Sequence, residues 1–332
     1  MVKSRGILAA WLGIVALSSL AWAAPSQAET TLVMGTGLPG GNYYKFGQLF
    51  AEAVNKYTRQ TGIRIKPRPT DGSVSNLKGL ANGEFQLGIT QADVAYMAWN
   101  GKGHWKANGK FKNLCTVYRL YTEAVTCVAR DGAGIRTSAD LRGKRVAMGT
   151  EGSGTHVNAV QALATCWLKP SDLAQALPIN PPQAMHLMTQ GKLDAFFYTV
   201  GHPNIGLRKF IAAYGRAHLM PFIPTKKMIH HTPYYVKYFI WRNDYPGLRN
   251  HGSKVDTFGI KSFLVTTDKV QPEVIYEITR SYLANLDFLK KNLAPMREVE
   301  PPEGQSSRDI AWGVSAPYHQ GVKRLLKERG AM

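Results

Sequence analysis

Ser153 stands between Gly152 and Gly154, with Glu151 just before them and His156 three residues beyond. A serine on a glycine turn with a histidine nearby is the raw material of a hydrolase nucleophile. The spacing does not complete it. The G-x-S-x-G elbow needs glycine where Glu151 stands, and no acid-oriented histidine can be read around His156. The same stretch has the Gly149-to-Gly154 spacing of a phosphate-binding loop, yet Thr155 and His156 occupy its Lys and Ser/Thr positions. Gly35, Gly37 and Gly40 satisfy the G-x-G-x-x-G of a dinucleotide site. The next strand, Ile63–Thr70, ends in basic and proline residues instead of the acid that a ribose requires. No His or Cys pair has metal-ligand spacing, and His230-His231 reads as a loop pair. What survives is binding without chemistry. No catalytic residue, metal or cofactor is expected.

The elements explain what such a site would bind. Val146–His156 (VAMGTEGSGTH) reads as a strand running into a turn that opens a helix, where N–H groups and the helix dipole favour an anion. Ser153 and Thr155 can cap that helix while donating outward, and Gly152 and Gly154 permit close approach. An earlier stretch matches it. Thr31–Gly35 reads as a buried strand, followed by Thr36–Asn42 and a helix from about Tyr43 to Thr58 with Phe46, Leu49, Phe50, Ala53, Val54 and Tyr57 at helical spacing. Asp71–Asn76 leads into a helix at Leu77–Leu80 with Ser73 as its N-cap, and Gly83–Thr90 reads as turn and strand ending at Gln91. Asp93 reads as a cap for the helix after that. Leu114–Tyr118 and Ala124–Ala129 read as two short strands around Arg119–Glu123. The helix after Thr155 carries Val157, Val160, Ala164 and Trp167, and a further unit leads to the strand Ala195–Tyr198 and the polar turn Thr199–Asn204. Phe258–Val265 reads as a strand crossing back to the first domain, before a helix from Pro272 to about Leu289, a linker at Pro301–Gly304 and a last basic helix. Polar residues at successive strand ends mark an open α/β unit that binds ligand in the crevice beyond them.

The 332 residues suggest about two domains. Residues 1–28 read as a signal peptide: Lys3 and Arg5, an apolar run from Gly6 to about Leu20, then Ala21-Trp22-Ala23 or Ser26-Gln27-Ala28 as cleavage site. That run is short for a membrane span, so a soluble, periplasmic protein is expected. Removing the leader lowers the formal charge from +19 to +17. The basic residues are scattered, without a dense run or a nucleic-acid module, so no nucleic-acid partner is expected and the excess reads as a field around a cleft. Cys115 and Cys127 flank what reads as a short turn and could bridge in an oxidising compartment.

Four segments in order, MGTGLPGGNYYKFGQLFAEAVN, DGSVSNLKGLANGEFQLGITQADVAY, LRGKRVAMGTEGSGTHVNA and GKLDAFFYTVGHPN, resemble the TAXI-type solute receptors of TRAP transporters, from about Thr31 to the final APYHQGVKRLLKERG. The resemblance implies an α/β, type II-like periplasmic binding protein of two lobes. Lobe I would hold residues 29–130, lobe II 131–245, and 246–332 would return to lobe I through hinge strands. It implies a small carboxylate or acidic amino acid ligand, such as glutamate or 2-oxoglutarate, delivered to an ion-driven TRAP permease. By motif, the first lobe would supply Gly41, Asn42, Tyr43, Tyr44, Ser73, Val74, Asn76 and Gln91, and the second Thr150, Ser153, Gly154, Thr155, Thr199 and His202. Tyr43 and Tyr44 either wall the pocket or begin the apolar face of their helix. His202 either binds or orients the turn before Pro203. Tyr121-Thr122-Glu123-Ala124 departs from the family pattern, and Glu123 is open to two readings, an ammonium partner or a hinge residue. A receptor for an ABC importer or a sensor on the same fold is the alternative, with an enzyme or an adhesive surface protein further off.

Overall fold

The computed structural model describes residues 29–303, 305 and 313–332; the expected leader and Gly304 of the expected linker lie outside them. A parallel α/β unit comes first: β1 (Thr30–Gly35), α1 (Asn42–Tyr57), β2 (Ile63–Arg68), α2 (Ser73–Ala81), β3 (Leu87–Gln91) and α3 (Ala92–Asn100). β1 pairs in parallel with both β2 and β3, so all three strands deliver their turns to one edge. The apolar spacing of α1 sets its buried face, Phe46, Leu49, Phe50, Ala53 and Val54. Phe46 and Phe50 stack at 5.4 Å, with Tyr282 edge-on to both. Burying each ring is worth roughly 1.5–3 kcal/mol. Tyr57 departs from the pattern, 42% exposed with the Arg280 guanidinium 5.5 Å from its ring.

The expected pair of short strands is instead one, β4 (Leu114–Arg130). Twelve steps of extended chain separate Cys115 from Cys127 by roughly 40 Å, far beyond disulfide reach, and both are free, as is Cys166. A second α/β unit follows: β5 (Arg145–Ala147), α4 (Gly154–Thr165), β6 (Gln175–Leu177), α5 (Pro181–Thr189), β7 (Ala195–Val200), α6 (Ile205–Tyr214) and β8 (Ala217–Met220). The buried face of α4 runs through Val157, Ala162 and Leu163, leaving Ala164 exposed and Trp167, beyond the helix end, 91% exposed. Asp194 fastens this unit, accepting from Arg130 Nη2 at 2.9 Å and Arg145 Nη2 at 2.7 Å.

α7 (Lys226–His231) places the expected loop pair His230 and His231 in its last turn. β9 (Tyr235–Trp241) and β10 (Lys254–Thr267) come next. The single helix expected from Pro272 is two, α8 (Pro272–Ala284) and α9 (Leu286–Asn292), and α10 (Gln320–Glu328) closes the chain. The break falls at Asn285, whose side-chain amide donates to Ser281 O at 2.8 Å, the local competition that makes Asn a poor helix-interior residue.

All ten strands form one sheet, ordered β2-β1-β3-β10-β4-β7-β5-β6, with β8 beside β4 and β9 beside β10. β4 and β10 tie its halves together. β10 pairs with β9 at its start and β3 at its end, while β4 pairs with β10 along its first part and with β7 and β8 along its last. One apolar cluster packs α1 and α8–α10 on the first half, and another packs β7, α6 and β8 on the second. A third includes Val74 and Val94 of the first half with Val146 and Leu163 of the second. No helix of the described residues is long and apolar enough to cross a membrane.

Candidate functional site

A cavity of about 300 Å³ lies between the halves, beyond the carboxyl ends of β1, β3 and β7. Three turns that open helices frame it: Gly37–Tyr43 before α1, Asp71–Ser73 before α2, and Thr150–Thr155 before α4. Gln91 at the end of β3, Glu123 in mid-β4 and Tyr198–Val200 of β7 line it further, with Pro181, Pro182 and Met185 from α5.

The three helix starts differ in what they leave free. The N–H groups of Asn42, Tyr43 and Tyr44 take no hydrogen bond among the described residues, nor do those of Ser73 and Val74. Neither α1 nor α2 has a side-chain cap. Ser73 is the first residue of its helix instead of the expected cap, and Gly72 holds the cap position at φ 122°, where a side chain would be strained. The Ser73 hydroxyl accepts from Gln91 N at 3.1 Å. At α4, Ser153 is the cap: its Oγ accepts from His156 N at 3.1 Å and donates to Thr150 O at 2.6 Å. Thr155 Oγ1 accepts from Thr199 N at 3.1 Å. The hydroxyls of Thr150 and Thr199 and the Oε1 of Gln91 are buried without a partner, an arrangement that costs free energy unless a ligand or water completes it.

Direct bonds cross between the halves. Ser75 N donates to Gly152 O at 3.0 Å. Asn42 Nδ2 donates to Gly201 O at 2.7 Å, and Asn204 Nδ2 to Asn42 Oδ1 at 2.9 Å. Asn158 Nδ2 donates to Asp93 Oδ2 at 2.5 Å, which also accepts from Tyr235 Oη at 3.0 Å. Asp93 stands inside the first turn of α3, with Gln91 at the cap position, and its Oδ1 accepts from Val94 N at 2.8 Å, so it satisfies one N–H of that turn as well as joining the halves. Burial pushes its carboxyl up to about 6 against these stabilising bonds.

Of the residues expected at the site, Gly41, Asn42, Tyr43, Ser73, Gln91, Thr150, Ser153, Gly154, Thr155 and Thr199 meet at this cavity. Tyr44, Val74, Asn76 and His202 are not among its lining. The Val74 side chain belongs to the apolar core. Asn76 ties neighbouring turns together, donating to Thr36 O at 2.7 Å and Ile89 O at 2.8 Å. His202 is bonded to Thr126 Oγ1 at 2.8 Å and to the Tyr245 hydroxyl, and burial pushes its imidazole down to about 3, so the ring is neutral. Asn204, missing from that set, lines the cavity while capping α6 with its side chain. Its signal was an Asn at a strand end just before an apolar helix. Tyr198 follows the core residue Phe197 and so faces the opposite way.

Among the described residues the lining contains no Lys or Arg, despite the formal charge of +19. Its charged side-chain types are Asp71 and Glu123. Glu123 is 3% exposed, and its Oε2 accepts from Gln91 Nε2 at 2.8 Å and Tyr43 Oη at 3.0 Å. Burial pushes this carboxyl up to about 8, so it is neutral at pH 7. The cavity therefore offers dipoles and hydroxyls, not a fixed cation.

The model of the NMT1-like family matches residues 34–330. The chain belongs to the NMT1-like family. Its fold is the mixed α/β fold of periplasmic substrate-binding proteins. PhnD1 from Prochlorococcus marinus, in complex with methylphosphonate, is 11% identical with a TM-score of 0.53, over 91% of this chain and 99% of that one. A protein from Bordetella bronchiseptica RB50 is 13% identical with a TM-score of 0.55, over 90% and 98%. The alkanesulfonate-binding protein SsuA from Xanthomonas axonopodis pv. citri, bound to MOPS, is 18% identical with a TM-score of 0.48, over 91% and 85%.

The family match overturns the TAXI identification, and with it the TRAP permease partner and the carboxylate or acidic amino acid ligand drawn from that resemblance. The physical reason lies in the motifs. Glycine turns between strand and helix specify how backbone donors reach a cleft, a geometry common to two-lobed receptors of many kinds. They do not encode the membrane partner.

Proposed function

We propose that this NMT1-like protein is the extracytoplasmic substrate-binding component of an ABC-type importer, and that its ligand carries a phosphonate or sulfonate head group. The carrying observation is the convergence of three helix starts on one cavity, with unpaired N–H groups beside the unpartnered hydroxyls of Thr150 and Thr199. A tetrahedral oxyanion has enough acceptor oxygens to engage several such donors at once. The likeness of fold to a methylphosphonate-bound protein supports this head group. Residues 29–130 and 246–332 form one lobe in this reading and 131–245 the other, with β4 and β10 as hinge strands and ligand favouring the closed state. Residues 1–28 are the export signal and the mature chain works in the periplasm.

The site binds and does not react. Ser153 spends its hydroxyl proton on Thr150 O, and His156 Nδ1 lies 3.1 Å from Gly149 O, so no imidazole serves the serine as a base. A thermal-shift screen of ligand-free, refolded protein tests the reading with alkylphosphonates, alkylsulfonates, their amino derivatives, sulfate, carboxylates and sugars. Ligand at about a hundred times its dissociation constant adds roughly 2.7 kcal/mol, a visible rise in midpoint. The expected rise is confined to phosphonates or sulfonates. A response to sugars or carboxylates alone would overturn the assignment.

A further inference from the structure

The seam where the halves touch, away from the cavity, holds a carboxyl with no countercharge. Asp93, in the first turn of α3, and Asn158, in α4, are both 0% exposed, and the bond between them joins one half to the other. Their neighbours Val94, Ala95, Val157, Ala159 and Tyr235 belong to the apolar cluster that spans both halves. Asp93 accepts from neutral donors: Val94 N, Asn158 Nδ2 and Tyr235 Oη. A carboxylate sealed in such a place without a cation costs free energy, and a proton removes that cost. The proton has an acceptor at hand. Asn158 Oδ1 is buried without a partner, and half a turn of that amide sets it against Asp93 in place of Nδ2.

Resting on the reading of the halves as lobes that close on a ligand, we propose that closure is proton-linked, with Asp93 and Asn158 forming a latch that shuts over a protonated carboxyl. Parting of the halves takes Asn158 and Tyr235 away from α3 and returns the carboxyl to water. With the halves in contact, burial raises it from 3.8 to about 6, so closing takes up a proton. The closed state gains below the open value, and the gain is lost as pH climbs through about 6. A ligand in the cavity is thus held harder in acid and released more readily near neutrality. Tyr234 and Tyr235 around the start of β9 and Glu123 of β4 feel the charge of Asp93, and none of them is a cation. Further along the seam, His104 just after α3 faces His156 of α4, ring centroids 6.4 Å apart, with Lys78 of α2 and Glu151 also acting on it. Burial, then the charges of His156 and Lys78, push the His104 imidazole down. That pair titrates with the opposite sign, so the latch is read as the difference between wild type and Asp93→Asn.

One amide reports the opening. Ser75 N donates to Gly152 O across the seam at 3.0 Å, and it lies in the first turn of α2, where the helix itself offers an N–H no partner. Its hydrogen exchange therefore follows the parting of the halves. The test is amide exchange by NMR on ligand-free, refolded protein at pH 5 and pH 7.5, each rate divided by its intrinsic value, in wild type and Asp93→Asn. The carboxamide copies the protonated acid, with N–H donors for Asn158 Oδ1 and Tyr235 Oη. Expected is a Ser75 protection, relative to the variant, that falls about tenfold between the two pH values. A constant ratio, with Ser75 exchanging faster than the β3 amides, overturns the latch and leaves the closing lobes in place. Ser75 exchanging only as fast as the β3 amides shows that the halves do not part and overturns both. If the variant does not fold, the Cγ shift of Asp93 in wild type decides. A titration midpoint near 6 is expected, and one at about 4, the ordinary carboxylate value, overturns the proposal.

Discussion

The turns before α1 and α4 are alike in composition and differ in what they do with their hydrogen bonds. Ahead of α1, Gly41 caps without a side chain and three consecutive N–H groups have no partner among the described residues. Ahead of α4, Ser153 spends its hydroxyl on its own turn, while the N–H groups of Gly154 and Thr155 are left without a partner among the described residues. The first turn has no side-chain cap, whereas the second ties its cap to itself and meets the opposite half. An added Cβ at Gly154 would stand 1.7 Å from Gln91 Oε1, and one at Gly152 would stand 2.3 Å from Ser75 Oγ. Small residues in the second turn thus serve contact between the halves more than contact with ligand. The same sequence signal, glycine and hydroxyl before a helix, covers a donor array in one half and a fitted edge in the other.

The largest expected effect comes from breaking that fit. Gly152→Val should cost about a hundredfold in ligand affinity, roughly 2.7 kcal/mol, by holding the halves apart. Calorimetry with the best ligand of the screen measures it, and unchanged affinity in a folded variant would deny the second turn its closing role. The buried acids extend the comparison through pH. Asp93, in the first half, has its carboxyl raised from 3.8 to about 6 by burial. A raised acid stabilises the fold below its unfolded pKa and loses that stability as pH climbs through the folded value. Wild type should therefore lose about 3 kcal/mol relative to Asp93→Asn between pH 3.5 and 7 in urea titrations. Asp194, in the second half, is held well below the usual carboxylate range by its bonds to Arg145 and Arg130. Its sign is reversed. Asp194→Asn should lower the melting midpoint at pH 7, with the gap closing as acid protonates the wild-type carboxylate.

Smaller effects sharpen the contrast within the cavity. Thr150→Val with Thr199→Val removes two unpartnered hydroxyls, so affinity should fall about tenfold, near 1.4 kcal/mol, with no drop in the melting midpoint. A lost midpoint would show that these hydroxyls have partners within the protein. Ser153→Ala should do the converse, costing about 1 kcal/mol of stability as a lost cap while changing affinity less than the threonine pair does. A denaturant titration beside a binding isotherm separates the two outcomes.

Much of the fold was legible because local rules decide it. Period-3.6 burial placed α1, and a polar residue at each strand end marked the edge where Gln91 and Thr199 meet. Long strands were less legible. Arg119–Glu123 is polar enough to read as a connection, yet Arg119, Thr122 and Glu123 each find a register partner on β10 within the single strand β4. Side-chain direction was less legible still. Val74 and Asn76 sit in the motif that carries Ser73, but their helical positions turn them to the core and to neighbouring turns.

The sequence by itself determined that two strand–turn–helix units would aim backbone donors at a common edge, because glycine, hydroxyl and helix-start chemistry are set within a few residues. Tertiary structure alone decided that Glu123 joins them. Eighty residues of chain separate it from Tyr43, its hydrogen-bond partner, and only the pairing of β4 beside β10 carries its carboxyl to the cavity floor. Burial there, which no local pattern encodes, turns an ordinary acid into one that is neutral at pH 7.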